Sequence, residues 1–184
     1  MNILRNIPNI ISTLRILMVF PIAFFIWDEA YHAAFILMLI AGLSDALDGF
    51  LARTFHWQSK LGALLDPAAD KLLLVSIFVI CGIKGFLPIW LVVLIFARDI
   101  IIVMGAFFYQ KVTKDKKIKP LLISKINTAA QILLAVLTLY QEAVQAFSTQ
   151  IDLLLITVVA LTTLISGIAY VMLWTRYTIE YKKN

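Results

Sequence analysis

Four aspartates lie close together in an otherwise mostly apolar stretch: Asp45, Asp48, Asp66 and Asp70. The first two are spaced i,i+3 and the last two i,i+4, so on helices each pair projects from one face. An ionised carboxylate near the centre of a bilayer costs at least ~2.5 kcal/mol, and such residues are usually functional. Converging carboxylates repel one another, so they must be protonated or hold cations. Oxygen-only donors suit Mg²⁺, Mn²⁺ or Ca²⁺ rather than a metal that prefers thiol or imidazole. Four carboxylates exceed what one Mg²⁺ usually takes from protein, and two ions roughly 4 Å apart suit phosphoryl chemistry. A proton path or an ion-coupled transporter also uses intramembrane carboxylates, so spacing alone leaves transport open beside catalysis.

The residues between the aspartates narrow the chemistry. Gly49 lies one turn after Asp45, Ala52 and Arg53 follow one turn later, and Gly62 precedes Asp66 by one turn. Glycine admits a planar base or a phosphate close to the backbone. Arg53 offers a forked donor for phosphate oxygens. Small residues at these positions also serve close helix packing.

The elements that carry these residues follow from composition. The chain has 184 residues, 62% hydrophobic and 15% charged, with mean hydropathy +0.94. A soluble domain has about half its residues apolar and about a quarter charged. A membrane helix needs ~20 apolar residues. Apolar runs at 8–27, 31–53, 61–83, 86–110, 121–140 and 151–175 each meet that length. They are too long and continuous for barrel strands. We therefore expect an all-α bundle of six transmembrane helices in a single domain, residues 1–184. Residues 1–7 are candidates for a short interfacial helix before Pro8.

The connections alternate in sign. The N-terminus, the turn with Arg53, His56 and Lys60, the turn with Lys111 to Lys119, and the C-terminus are basic. Of 16 Lys and Arg residues, only Lys84 falls on the other side. The positive-inside rule then puts both termini in the cytoplasm. The net charge of +5 is explained by these flanks and by anionic lipid, not by nucleic acid. Cys81 is the single cysteine, so neither a disulfide framework nor a thiolate metal set is expected. No small-residue cleavage site follows the first apolar run, so we expect no removable signal peptide.

With the gaps between Asp45, Asp48-Gly49, Ala52-Arg53, Gly62, Asp66 and Asp70 all in place, the chain resembles the CDP-alcohol phosphatidyltransferases. The resemblance includes Ile7-Pro8-Asn9 and Arg15 and covers nearly the whole sequence. It implies a six-helix membrane enzyme, usually a homodimer, that displaces CMP from a CDP-linked donor such as CDP-diacylglycerol by attack of an acceptor hydroxyl. By the same resemblance, Asp45, Asp48 and Asp66 would ligate two Mg²⁺ or Mn²⁺ ions with Asp70 beside them. Asp70 would also be the catalytic base. Asp48, Gly49, Ala52, Arg53 and Gly62 would line the CDP site, facing the cytoplasm of a bacterial inner membrane or the equivalent side of a mitochondrial one.

The acceptor is indicated by what is missing. Family enzymes that use glycerol 3-phosphate carry an Ala-Arg-Glu stretch, a later second Arg, and Gly-Lys-x-Lys-Thr. This chain has Ala97-Arg98-Asp99, Ala106 at the later position, and Ser124-Lys125-Ile126-Asn127-Thr128. Two cations for a phosphomonoester are absent. The stretches Ile123–Gln131, Ala41–Asp45 and Arg98-Asp99-Ile100 resemble the eukaryotic-type cardiolipin synthases, which imply phosphatidylglycerol as acceptor. A phosphatidylglycerophosphate synthase is the alternative within the family. Arg98, Lys125, Asn127 and Arg15 are the candidate acceptor or phosphate contacts.

Overall fold

Long apolar stretches in lipid must satisfy every backbone N–H and C=O internally, and a helix does this within one segment. The computed structural model describes residues 7–54, 62–113 and 121–183. Side chains at 7–10, 12, 46, 48–54, 62–68, 110–113 and 177–183 lie outside the described set. The described residues form α-helices and no strand: α1 Ile7–Trp27, α2 Tyr31–Thr54, α3 Gly62–Ile83, α4 Ile89–Thr113, α5 Leu122–Ala143 and α6 Thr149–Lys183. The expected interfacial segment before Ile7 and most of the two basic turns fall outside the described residues.

Three stretches among the described residues are long and apolar enough to cross a membrane: Ile89–Tyr109, Leu122–Ala143 and Thr149–Arg176. Shorter apolar stretches are Thr13–Trp27 and Tyr31–Asp45, the second ending at the first aspartate. Large apolar side chains such as Phe20, Val103, Leu153 and Met172 face outward, which lipid tolerates and water disfavours. The chain is an integral membrane protein.

The helices fall into two compact units. One comprises Met1–Leu87 and Ala135–Ala146, the other Pro88–Leu134 and Phe147–Asn184. In the first unit α1 packs against both α2 and α3. Its core includes Ile22, Ile26, Ala34, Ala41, Ile77, Phe78 and Cys81. Two turns end helices of this unit in the same way. Gly85 has φ +82°, and Phe86 N–H reaches Cys81 C=O at 2.9 Å while Gly85 N–H reaches Gly82 C=O at 3.2 Å. This is a Schellman cap, with glycine where the left-handed conformation is needed. Glu29, at φ 63°, occupies the equivalent position after α1, with Ala30 N–H on Phe25 C=O at 2.9 Å. The run expected to begin at 86 becomes helical only at Ile89, because this cap and Pro88 separate α4 from α3.

In the second unit α4 packs against α6. A Cβ on Gly105 would lie 2.5 Å from Trp174 Nε1, so glycine lets the indole rest on the α4 backbone. Trp174 also stacks on Tyr170, with ring centroids 6.0 Å apart. α6 has 35 residues. At ~1.5 Å per residue it exceeds the ~30 Å hydrocarbon layer, and its last turns run past the apolar stretch that ends at Arg176.

Candidate active site

Asp45 and Asp70 come together on one cation. Asp45 sits on α2 and Asp70 on α3, while Arg15 reaches both from α1. Arg15 Nη1 donates to Asp70 Oδ1 at 2.7 Å. Its Nη2 lies 2.5 Å from Asp45 Oδ1, a charge contact whose angle does not make a hydrogen bond. The Arg15 side chain is 1% exposed, whereas Asp45 and Asp70 are 42% and 48% exposed. The cation is therefore on the inner side of the pair, and both carboxylates retain an open side.

Asp48 lies three residues beyond Asp45 in α2, and Asp66 four residues before Asp70 in α3. The helices are continuous through both positions. The side chains of Asp48 and Asp66, and of Ala52 and Arg53, lie outside the described residues, as does any geometry around Gly49 and Gly62. Among the described residues no three His, Cys, Asp or Glu side chains gather as a metal-ligand set. Asp45 and Asp70 themselves fit a hard cation: they are oxygen donors, close together and accessible.

The second unit holds a buried polar cluster on α4, α5 and α6. Arg98 Nη1 pairs with Asp99 Oδ1 at 2.9 Å. Its Nε and Nη2 donate to Ser166 Oγ at 3.2 and 2.5 Å, and Nη2 also donates to Ser124 Oγ at 2.6 Å. The Tyr170 ring lies 6.0 Å from the guanidinium carbon. Asn127 is fully buried, and its Oδ1 accepts from Thr162 and Thr163, each at 2.9 Å. One turn on, Gln131 is buried too. Among the described residues, the amide nitrogens of Asn127 and Gln131 have no hydrogen-bond partner. Lys125 is exposed on another face of α5.

Of the expected phosphate contacts, Arg98 thus meets Asp99 and two serines, Arg15 meets two aspartates, Asn127 meets two threonines, and Lys125 is exposed. Sequence reasoning did not single out Ser166 or Thr163, and it used Gln131 only as the end of the Ile123–Gln131 stretch. Their signal was weak: a serine beside Gly167 in an apolar helix, and a glutamine one turn after Asn127.

Beside the cluster, an apolar groove of about 280 Å³ lies between α4 and α6, lined by residues including Ala97, Ile101, Thr163, Gly167 and Ile168. The aliphatic part of Arg98 forms part of its wall.

The family model for CDP-alcohol phosphatidyltransferases matches residues 5–179. A rat protein named cardiolipin synthase (CMP-forming) is 31% identical over 150 residues, covering 73% of this chain and 50% of its own. Its human counterpart is 32% identical over the same length, with the same coverage. A rice protein named CDP-diacylglycerol–glycerol-3-phosphate 3-phosphatidyltransferase 1, chloroplastic, is 34% identical over 183 residues, covering 90% of this chain and 56% of its own. The chain spans about half the length of these curated relatives. On the match across almost its whole length, the chain belongs to the CDP-alcohol phosphatidyltransferase family.

Proposed function

We propose that this chain transfers a phosphatidyl group from CDP-diacylglycerol to the terminal hydroxyl of phosphatidylglycerol, forming cardiolipin and releasing CMP. The observation that carries the reading is the meeting of Asp45 and Asp70, accessible on one side and held on the other by Arg15. Asp45, Asp48, Asp66 and Asp70 would hold two Mg²⁺ or Mn²⁺ ions, which neutralise the diphosphate and stabilise the leaving phosphate of CMP. Asp70 accepts the proton of the acceptor hydroxyl. That oxygen forms the new bond to the phosphatidyl phosphorus as the bond from phosphorus to the CMP oxygen breaks. Gly49, Ala52, Arg53 and Gly62 receive the CDP moiety. Arg98, Lys125 and Asn127 are assigned to the acceptor side or to phosphate, and Arg15, which meets two aspartates, to the carboxylate site.

The acceptor assignment draws on Ala106 and Asn127, where two cations are absent, and on the CMP-forming cardiolipin synthases among the relatives. The rice relative's name favours glycerol 3-phosphate as the second reading. We further assign 1–184 as one membrane domain with six spans, cytoplasmic termini and a cytoplasm-facing site. It acts as a homodimer, in a bacterial inner membrane or a mitochondrial one. An ion-coupled transporter is the rival from another class.

Purified full-length chain, with Mg²⁺ or Mn²⁺ and labelled CDP-diacylglycerol, is offered phosphatidylglycerol and glycerol 3-phosphate separately. Labelled cardiolipin with CMP release is the expected result. Product from glycerol 3-phosphate alone overturns the acceptor, and no CMP release with either overturns the enzymatic reading.

A further inference from the structure

Arg15 is not one of the signature positions, and it comes from a helix that carries none of them. Yet it is among the largest fully buried side chains described, and its guanidinium ends on two of the four signature aspartates. We propose that Arg15 is a positioning residue for the carboxylate site. It stands behind Asp45 and Asp70, joins α1 to α2 and α3, and turns both carboxylates toward the accessible side where the cations bind. This rests on the metal-dependent reading above.

Three observations favour positioning over a simple packing role. First, the burial is asymmetric: the arginine is enclosed while both partners are about half exposed. A snorkelling arginine would show the reverse, with its charged head in solvent. Second, one guanidinium serves two carboxylates on different helices through Oδ1 of each. A fork on a single carboxylate would give the stronger local pair. The observed arrangement instead relieves repulsion between two acids that must stay close together. Third, Nη1 and Nη2 each face a different carboxylate, at 2.7 and 2.5 Å, so both acids are held to one planar group. It supplies a positive charge and a fixed direction at the inner side of the site.

Groups that orient metal ligands from behind are needed almost as much as the ligands. Losing one typically costs ~10–100-fold in metal affinity or activity. Lysine is a poor replacement, because a compact ammonium on a flexible stem does not reproduce a planar fork that spans two carboxylates.

The test is Mn²⁺ binding to the purified full-length chain, followed by electron paramagnetic resonance, for wild type, Arg15→Gln, Arg15→Lys and Lys84→Gln as the remote control. Wild type and Lys84→Gln should bind alike. Arg15→Gln should bind ~10–100-fold more weakly, with Arg15→Lys between them. The metal concentration for half-maximal CMP release should rise in parallel, while KM for CDP-diacylglycerol at saturating Mn²⁺ stays within about threefold of wild type. Unchanged Mn²⁺ affinity in Arg15→Gln overturns the proposal, and so does a raised KM alone, which would make Arg15 a substrate contact. Tighter Mn²⁺ binding also overturns it, because Arg15 would then compete with the cations. If wild type binds no Mn²⁺, the metal-dependent reading itself fails, and this proposal falls with it. Should Arg15→Gln not fold, Arg15→Lys decides on the same readouts, and wild-type affinity in that variant overturns the proposal.

Discussion

Arg15 Nη1 on α1 donates to Asp70 Oδ1 on α3 at 2.7 Å, so an enclosed cation and an accessible carboxylate share one hydrogen bond. The consequence for Asp70 is that its charge and its packing can be separated. Asn retains an oxygen that accepts from Arg15 but lacks the charge needed for a cation or for a proton. Asp70→Asn should lower CMP release by roughly 10²–10⁴-fold, with little change in melting temperature in detergent. Asp70→Ala removes the acceptor as well, leaving Arg15 with less compensation in a buried position. It should cost a further ~1–3 kcal/mol of stability. Equal melting temperatures for the two variants would contradict this division.

Ser166 is the main neutral support of Arg98. Its Oγ accepts from both Nε and Nη2, whereas Ser124 shares only Nη2. Ser166 is completely buried, and Arg98 nearly so. Hydrogen bonds to a charged group contribute ~1.5–3 kcal/mol, and a buried donor left unmade is costly. Ser166→Ala should therefore lower the melting temperature more than Ser124→Ala. The reverse order in thermal unfolding would show that Ser124 is the more important support.

Two glycines should respond in opposite directions to the same added methyl. At Gly105 a Cβ would meet the Trp174 indole at 2.5 Å, while at Gly42 nothing lies within 4 Å. Gly105→Ala forces the indole or α4 to move, at a cost of roughly 1–3 kcal/mol. Gly42→Ala adds no clash within a helix and should be neutral or stabilising by up to ~1 kcal/mol. Thermal unfolding of the two variants side by side checks the contrast.

Local residues made most helices legible. The first two apolar runs, 8–27 and 31–53, correspond to Ile7–Trp27 and Tyr31–Thr54. Pro88 and the left-handed Gly85 moved the start of α4, an effect of turn geometry that an apolar run does not carry. At the site, the aspartate spacing was readable because helical periodicity is local. Arg15 stood out as a cation in an apolar run, but its partners lie 30 and 55 positions away, and only packing brings them to it. The Arg98 cluster behaved likewise. Arg98 and Ser124 belonged to readable stretches, while Ser166 became visible only when α6 was packed against α4.

Lys84 provides a test of orientation. It is the cation expected on the side opposite the other basic residues, and its Nζ pairs with Glu29 Oε1 at 3.1 Å and lies 5.5 Å from the Trp27 ring centroid. The turns after α1 and α3 therefore meet at one end of the first unit. Exposed ion pairs contribute only about 0–1 kcal/mol, so replacing Lys84 should leave the fold intact. Cys81 is buried, giving a quiet background for labelling. In intact cells whose outer barrier admits the reagent, a membrane-impermeant maleimide should label Lys84→Cys directly. Lys125→Cys, exposed near the start of α5, should react only after the membrane is opened. Labelling of Lys125→Cys from outside, with Lys84→Cys protected, would invert the proposed topology and move the carboxylate site to the opposite face.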